Sequence, residues 1–318
     1  KTLVEALIDK GADVNNKDNR GSTPLHYAIL MKNVEVTVIL LLSKSNVNLG
    51  DNCLRTPLHL AILHKFNAIL DSLFASGAKV NLWDSKRNTP LHYAAQNKSE
   101  SLSRKLLDRG AIVDIQNSKG QTPLHVAINR LRFTEGNCVR VLLDYGATMD
   151  DIKDYKGKTP VEYREESVDL PVLFLETIIK TCCANLELNL NSKVVSDLKS
   201  YGELVHFQTK CLTELKHMKK KKIGSNNLYD VFSKYRDPKF SMKQSMVEAI
   251  YSPTLDVEFP LYASFLRGTF QRAKVRHKLL DLAVEKMSAT IDITLPNEVK
   301  RHIMCYLSDR ELKTLLYK

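Results

Sequence analysis

The chain has only six cysteines in 318 residues, and they form neither a C-x-x-C pair nor a regular framework. Cys53, Cys138, Cys182, Cys183, Cys211 and Cys305 therefore read as free thiols of a reducing compartment, not as zinc ligands. Long apolar stretches are missing too. A run such as VILLL at 38–42 is far too short to cross a bilayer, so no membrane partner is expected. The opening residues do not read as a secretory signal. There is no RING-like cysteine set and no recognisable catalytic constellation, so the expectation is a protein without catalytic residues, metal or cofactor. Tryptophan occurs once, as Trp83.

What is present is ordinary for a globular protein: 43% hydrophobic and 26% charged residues, in a chain long enough for two or three cores. The net charge of +11 raises the question of nucleic acid. Residues 1–150 carry 19 Lys and Arg against 14 Asp and Glu, and residues 201–250 carry 10 against 5. Four of those ten are the run Lys219–Lys222. A diffuse excess with one hot spot suits a generally basic surface better than a phosphate-binding groove, and nucleic acid is not expected as a partner.

The strongest signal is periodic. TPLHYA at 23–28, TPLHLA at 56–61, TPLHYA at 89–94 and TPLHVA at 122–127 are each 33 residues apart, and a weaker copy, TPVEY, starts at Thr159 after 37. Between them lie GADVN (11–15), SNVNL (45–49), GAKVN (77–81), GAIVD (110–114) and GATMD (146–150). Pro24, Pro57, Pro90 and Pro123 suit the first position of a helix, where a missing N–H costs nothing. Leu25, Leu58, Leu91 and Leu124 drop into the core between repeats. Gly11, Gly77, Gly110 and Gly146 end a second amphipathic helix in a left-handed cap. This pattern resembles the ankyrin repeat, whose units fold only as a stack.

His26, His59, His92 and His125 come one per repeat at a helix start, with no Cys or carboxylate at ligand spacing, so a hydrogen-bonding scaffold role is expected. Two irregularities matter. The 37-residue spacing places extra residues around RLRFTEGN (130–137), in a connection between helices. A turn glycine two places before Thr is present as Gly21, Gly120 and Gly157 but becomes Leu54 and Arg87 in the middle repeats. If that position needs positive φ, each replacement costs about 1 kcal/mol.

Ankyrin proteins bind partners with the fingertips and the concave face of the first helices. The resemblance carries that surface to Asn52, Leu54, Trp83, Lys86, Arg87, Gln96, Lys119 and Asn129. An exposed Trp beside Arg is what a binding hot spot tends to contain. Trp83 lying flat over a neighbouring finger is the alternative. The chain begins with KTLVEALIDKGADVN, which matches only the second half of a repeat, and further repeats upstream are expected.

The period is lost from about residue 167. LPVLFLETIIKTCC (170–183) reads as a last apolar helix. Residues 191–218 read as a long amphipathic helix, with Val194, Val195, Leu198, Tyr201, Val205, Leu212 and Leu215 on its apolar face and the lysine run as its solvated end. Gly224 would stop it, NNLYDVF would start the next helix, and others are expected at about 242–250, 260–267 and 270–288. In LPNEVKRHIMCYLSDRELKTLLYK (295–318), Pro296 and Glu298 suit a helix start. Leu295, Val299, Ile303 and Leu307 run down one side. Ser308 and Glu311 form a capping box before Leu312, Leu315 and Leu316. Burying this stripe against the preceding helices is one reading.

The other is a resemblance. Leu295, Pro296, Glu298, Val299, Ile303, Leu307, Glu311 and Leu312 match the opening of an F-box, the segment that docks onto the Skp adaptor of cullin–RING ubiquitin ligases; Leu315 would join that contact. Ankyrin repeats, a helical segment and a truncated F-box-like tail resemble the poxvirus ankyrin proteins, whose terminal segment is called PRANC. The expected fold is all-α: an ankyrin-repeat solenoid (1–166), an all-helical capping or linking domain (167–290) and an F-box-like tail (291–318). The resemblance implies a viral substrate receptor that holds a host protein of innate defence and recruits the host Skp adaptor. The alternative is an antagonist that masks its target stoichiometrically. It places the protein in the host cytoplasm, with the nucleus as the alternative if Lys219–Lys222 act in import.

Overall fold

The computed structural model describes residues 3–129, 137–149, 152–163, 203–223, 226–231 and 244–290, together with Glu176 and Lys180. The chain divides into two compact units, one of residues 1–142 and 147–168, the other of 143–146 and 169–318.

In the first unit, α1 (Leu3–Asp9) is followed by helix pairs: α2 (Pro24–Leu30) with α3 (Val34–Leu42), α4 (Pro57–Leu63) with α5 (Leu70–Ala75), α6 (Pro90–Gln96) with α7 (Glu100–Asp108), and α8 (Pro123–Asn129) with α9 (Asn137–Asp144). A 3-10 turn, Asn67–Ile69, leads into α5, and another, Pro160–Tyr163, stands where a fifth first helix begins. The helices α2, α4, α6 and α8 pack on one another in order, and α8 packs on Pro160–Tyr163. Leu25, Leu58, Leu91 and Leu124 are fully buried between them, as the motif predicts.

Backbone geometry follows the repeat letter by letter. Gly11, Gly77, Gly110 and Gly146 all have positive φ, and Gly77 closes its helix by donating its N–H to Phe74 while Ala78 donates to Leu73. The hairpin position that holds Gly21, Gly120 and Gly157 is left-handed in every described copy, including Leu54 (φ 58°) and Arg87 (φ 57°). Four further positive-φ residues are lysines: Lys32, Lys65 and Lys98 join first to second helices, and Lys44 (φ 61°) stands where the other repeats have the cap glycine. No sequence signal marked them, because lysine is not a residue that favours that region.

In the second unit, α10 (Glu203–Lys220) runs into a minimal antiparallel ladder, β1 (Lys222–Ile223) with β2 (Asn226–Asn227), followed by α11 (Gln244–Tyr251), α12 (Thr254–Glu258) and α13 (Ala263–Thr290). Three expectations need correction. The segment NNLYDVF does not open as helix: Asn226 and Asn227 pair with Ile223 and Lys222, and the chain turns before Asp230. Leu212 is exposed, because the buried face of α10 is Cys211, Leu215 and Met218, at i, i+4 and i+7. The two helices expected at about 260–267 and 270–288 are one, continuous through Gly268. A Cβ on Gly268 would come within 2.3 Å of the carbonyl oxygen of Asp144, so this glycine serves close backbone approach and breaks nothing. Of the apolar helix expected at 170–183, Glu176 and Lys180 are described, both helical. The expectations for 130–136, 191–202 and 291–318 lie outside the described residues.

Polar groups tie this unit together. Glu214 on α10 accepts backbone N–H groups of Leu261 (3.2 Å) and Tyr262 (3.3 Å), just before α13. Arg267 forks onto Asp256 at 2.8 and 2.7 Å and donates Nε to the carbonyl of Ile250. Lys180 pairs with Asp144 at 3.0 Å, with both side chains 5% exposed. The lysine run does end α10, but not all of it is loosely solvated. Lys219 lies 4.2 Å from the ring centre of Tyr229, and Lys221 pairs with Glu258 and rests over Phe259.

Candidate protein-binding surface

The fingertips are built on five copies of one turn. Asp18, Asp51, Asp84, Asn117 and Asp154 each turn one side-chain oxygen back to accept the N–H groups two and four residues on. For Asp84 these are Lys86 (2.9 Å) and Asn88 (2.7 Å). This is the Asx turn that makes Asp and Asn favoured at such positions. The second carboxylate oxygen is satisfied from a tyrosine nine residues later: Tyr27 donates to Asp18, Tyr93 to Asp84 and Tyr163 to Asp154.

The pairing explains the variable letter of T-P-L-H-x-A. Where it is Leu60, Arg55 takes over, its guanidinium 2.9 and 2.7 Å from Asp51. Where it is Val126, the acid is replaced by the neutral Asn117. Burial would raise the pKa of Asp51, but the bonds from Arg55 outweigh it and hold the carboxyl below its usual range. Burial and the bond to Asp84 push the Tyr93 hydroxyl well above the ordinary tyrosine value. An Asp and a Tyr nine residues apart, three times over, is a sequence signal that motif reading passed by.

Successive fingers are laced by backbone bonds: Asn52 N–H to Arg20, Ser85 to Cys53, Ser118 to Lys86 and Tyr155 to Lys119, at 2.8–3.0 Å. The histidines lace the layer beneath. Thr89 N–H donates to Nδ1 of His92 at 3.1 Å, so the neutral ring carries its proton on Nε2, which donates to the carbonyl of Gln121 at 3.0 Å. The same bridge joins His26 to Arg55, His59 to Asn88 and His125 to Lys158. Burial lowers all four pKa values, that of His92 to about 4. They act as scaffold. In the fifth repeat Glu162 takes the place of histidine. Its carboxylate accepts the Thr159 N–H at 2.6 Å, closing the same cap without a donor to send onward.

On this scaffold all eight residues expected to contact a target are exposed: Asn52, Leu54, Trp83, Lys86, Arg87, Gln96, Lys119 and Asn129. Trp83 is 50% exposed, with the Arg87 guanidinium 5.3 Å from its ring centre, and Leu54 on the neighbouring finger is 52% exposed. Asn52 has a structural duty as well, donating Nδ2 to the carbonyl of Asn19. Gln96 ends α6 and Asn129 ends α8, on the first helices, apart from the finger cluster. The eight adaptor-contact residues, Leu295, Pro296, Glu298, Val299, Ile303, Leu307, Leu312 and Leu315, lie outside the described residues. Among the described residues no group of three or more His, Cys, Asp or Glu side chains is placed to hold a metal ion, and no helix is long and apolar enough to cross a membrane.

A stack of helix pairs that presents exposed hairpin tips, with its buried polar groups spent on holding the stack, is a tandem-repeat interaction scaffold. The sequence matches the family described as ankyrin repeats (3 copies) over residues 1–84 and 66–153, and the PRANC domain over residues 223–317. The chain is an ankyrin-repeat protein with a PRANC domain. Both are interaction domains.

Proposed function

We propose that this chain is a viral substrate receptor: its ankyrin repeats hold a host protein, and the F-box-like segment of its PRANC domain recruits the Skp adaptor of a cullin–RING ubiquitin ligase. The observation that carries the reading is the presence in one chain of an ankyrin array and a PRANC match that extends to residue 317. The F-box-like letters Leu295, Pro296, Glu298, Val299, Ile303 and Leu307 fall inside that match. The recruited ligase supplies the chemistry. The captured protein belongs to innate defence, and the complex works in the host cytoplasm.

Titration of the purified chain with the Skp adaptor in a calorimeter tests this, with Leu295→Asp as the comparison and circular dichroism to establish folding. Binding by the intact chain that is lost in a folded Leu295→Asp variant is the expected result. A folded intact chain that gives no heat of binding would replace the receptor reading with that of an antagonist that masks its target without recruiting a ligase.

A further inference from the structure

Formal charge along the fingers is mixed, but the fold separates it. In the last three fingers (82–88, 115–121 and 152–158) there are six cations and two carboxylates, and both carboxylates, Asp84 and Asp154, are buried inside their turns. The cations that face out fall in register. Arg20, Cys53, Lys86, Lys119 and Lys156 occupy one equivalent position, and in each the backbone N–H is held by the same turn oxygen at 2.9 Å. All five are exposed, and among the described residues Lys86, Lys119 and Lys156 enter no ion pair. The fingers are carried by the helices α2, α4, α6 and α8 packed one on the next, so equivalent positions recur about every 10 Å along the stack. A peptide in the polyproline II conformation advances about 3.1 Å per residue with three residues per turn, so every third side chain returns to the same face about 9 Å on and meets the next cation. Trp83, with Arg87 against it, and Leu54 offer an aromatic and apolar flank to the same row.

We propose that the fingertip row recognises an acidic segment of the target protein in the polyproline II conformation, with carboxylates at every third residue set against the consecutive cations Lys86, Lys119 and Lys156. The proposal rests on the reading that the ankyrin repeats hold a target, and it names that target's chemistry. Carboxylates at this spacing are matched one to one; a nucleic-acid strand, whose phosphates are closer together than the cations, would present more than one charge to each cation.

Trp83 is the sole tryptophan, so its emission reports on the row directly. The full chain is titrated with a twelve-residue peptide carrying glutamate at every third position, with an isomer whose four glutamates are contiguous, and with a twelve-residue oligothymidylate. Ionic strength is held at about 0.01 M, where the Debye length is about 30 Å. The spaced peptide is expected to bind saturably, at least about tenfold more tightly than its isomer, and to lose at least about tenfold with Lys86→Glu/Lys119→Glu, as opposing charges become like ones. Equal binding of both peptides, no effect of the charge reversal, or tighter binding of the oligothymidylate overturns the proposal.

Capture of proteins from host-cell extract separates this from the reading beneath it. If Leu54→Ser/Trp83→Ala abolishes capture and the charge reversal does not, the acidic segment is wrong and the fingertip receptor stands. If neither variant changes capture, target holding by the fingertips fails as well.

Discussion

His92 of the third clear repeat donates its Nε2 proton across a 3.0 Å bond to the carbonyl oxygen of Gln121, which belongs to the next finger. The same ring closes the cap of its own helix through Nδ1, so one neutral imidazole serves two repeats at once. A charged ring could not do this, since Nδ1 would carry a proton where it must accept one.

Stability should therefore fall on mild acidification. The folded pKa values of the four histidines lie below the ordinary 6.5, so the unfolded chain takes up protons first as pH drops through that value. For His92 the loss runs from about 6.5 down to about 4, where the folded ring also protonates. At about 1.4 kcal/mol per pH unit, this one residue accounts for on the order of 3 kcal/mol. Urea midpoints of the chain at pH 7.5 and pH 5, at constant salt, measure the first part of it, about 2 kcal/mol for His92. An unchanged midpoint would mean that the folded rings take up protons as readily as the unfolded ones.

Leu54→Gly should stabilise the array by about 1 kcal/mol, because Leu54 sits at φ 58° in a turn that its equivalents fill with glycine. Equilibrium urea unfolding gives the difference. Loss of stability would show that Leu54 makes contacts worth more than its backbone strain.

Tyr93→Phe should cost about 1–3 kcal/mol, since it leaves the buried Asp84 carboxylate short of its closest side-chain donor. The same loss of a hydroxyl at the exposed Tyr155 should cost almost nothing. Paired thermal melts of the two variants make the comparison.

Gly268→Ala gives opposite signs for two arguments. Helix propensity alone favours alanine by about 1 kcal/mol inside α13. A Cβ 2.3 Å from the Asp144 carbonyl and 2.5 Å from the Tyr145 Cα forces backbone apart, which costs about 1–3 kcal/mol or more. The contact wins, and a lowered melting temperature is expected. A raised one would mean that the segment at 144–145 does not approach α13 this closely.

The repeat array was legible because its physics is local and repeated. Thr-Pro starts a helix, a left-handed Gly ends one, and a 33-residue period needs no knowledge of distant contacts. Even the strained Leu54 and Arg87 could be found by aligning them with Gly21 and Gly120. The second unit was less legible for the complementary reason. Gly268 looks like a break until a second piece of backbone is seen to need its missing Cβ, and Leu212 and Leu215 look equivalent until packing selects the face with Cys211 and Met218.

Sequence by itself thus determined the stack, its caps, its scaffold histidines and the exposed identity of the fingertips. Only the tertiary structure decided where the charge points. Asp84 and Lys86 are two residues apart and opposite in sign, and along the chain they cancel. In the folded finger the carboxylate turns inward because backbone N–H groups and Tyr93 must be satisfied there, while the lysine has no such inward partner and is left facing solvent on the row it shares with Arg20, Lys119 and Lys156.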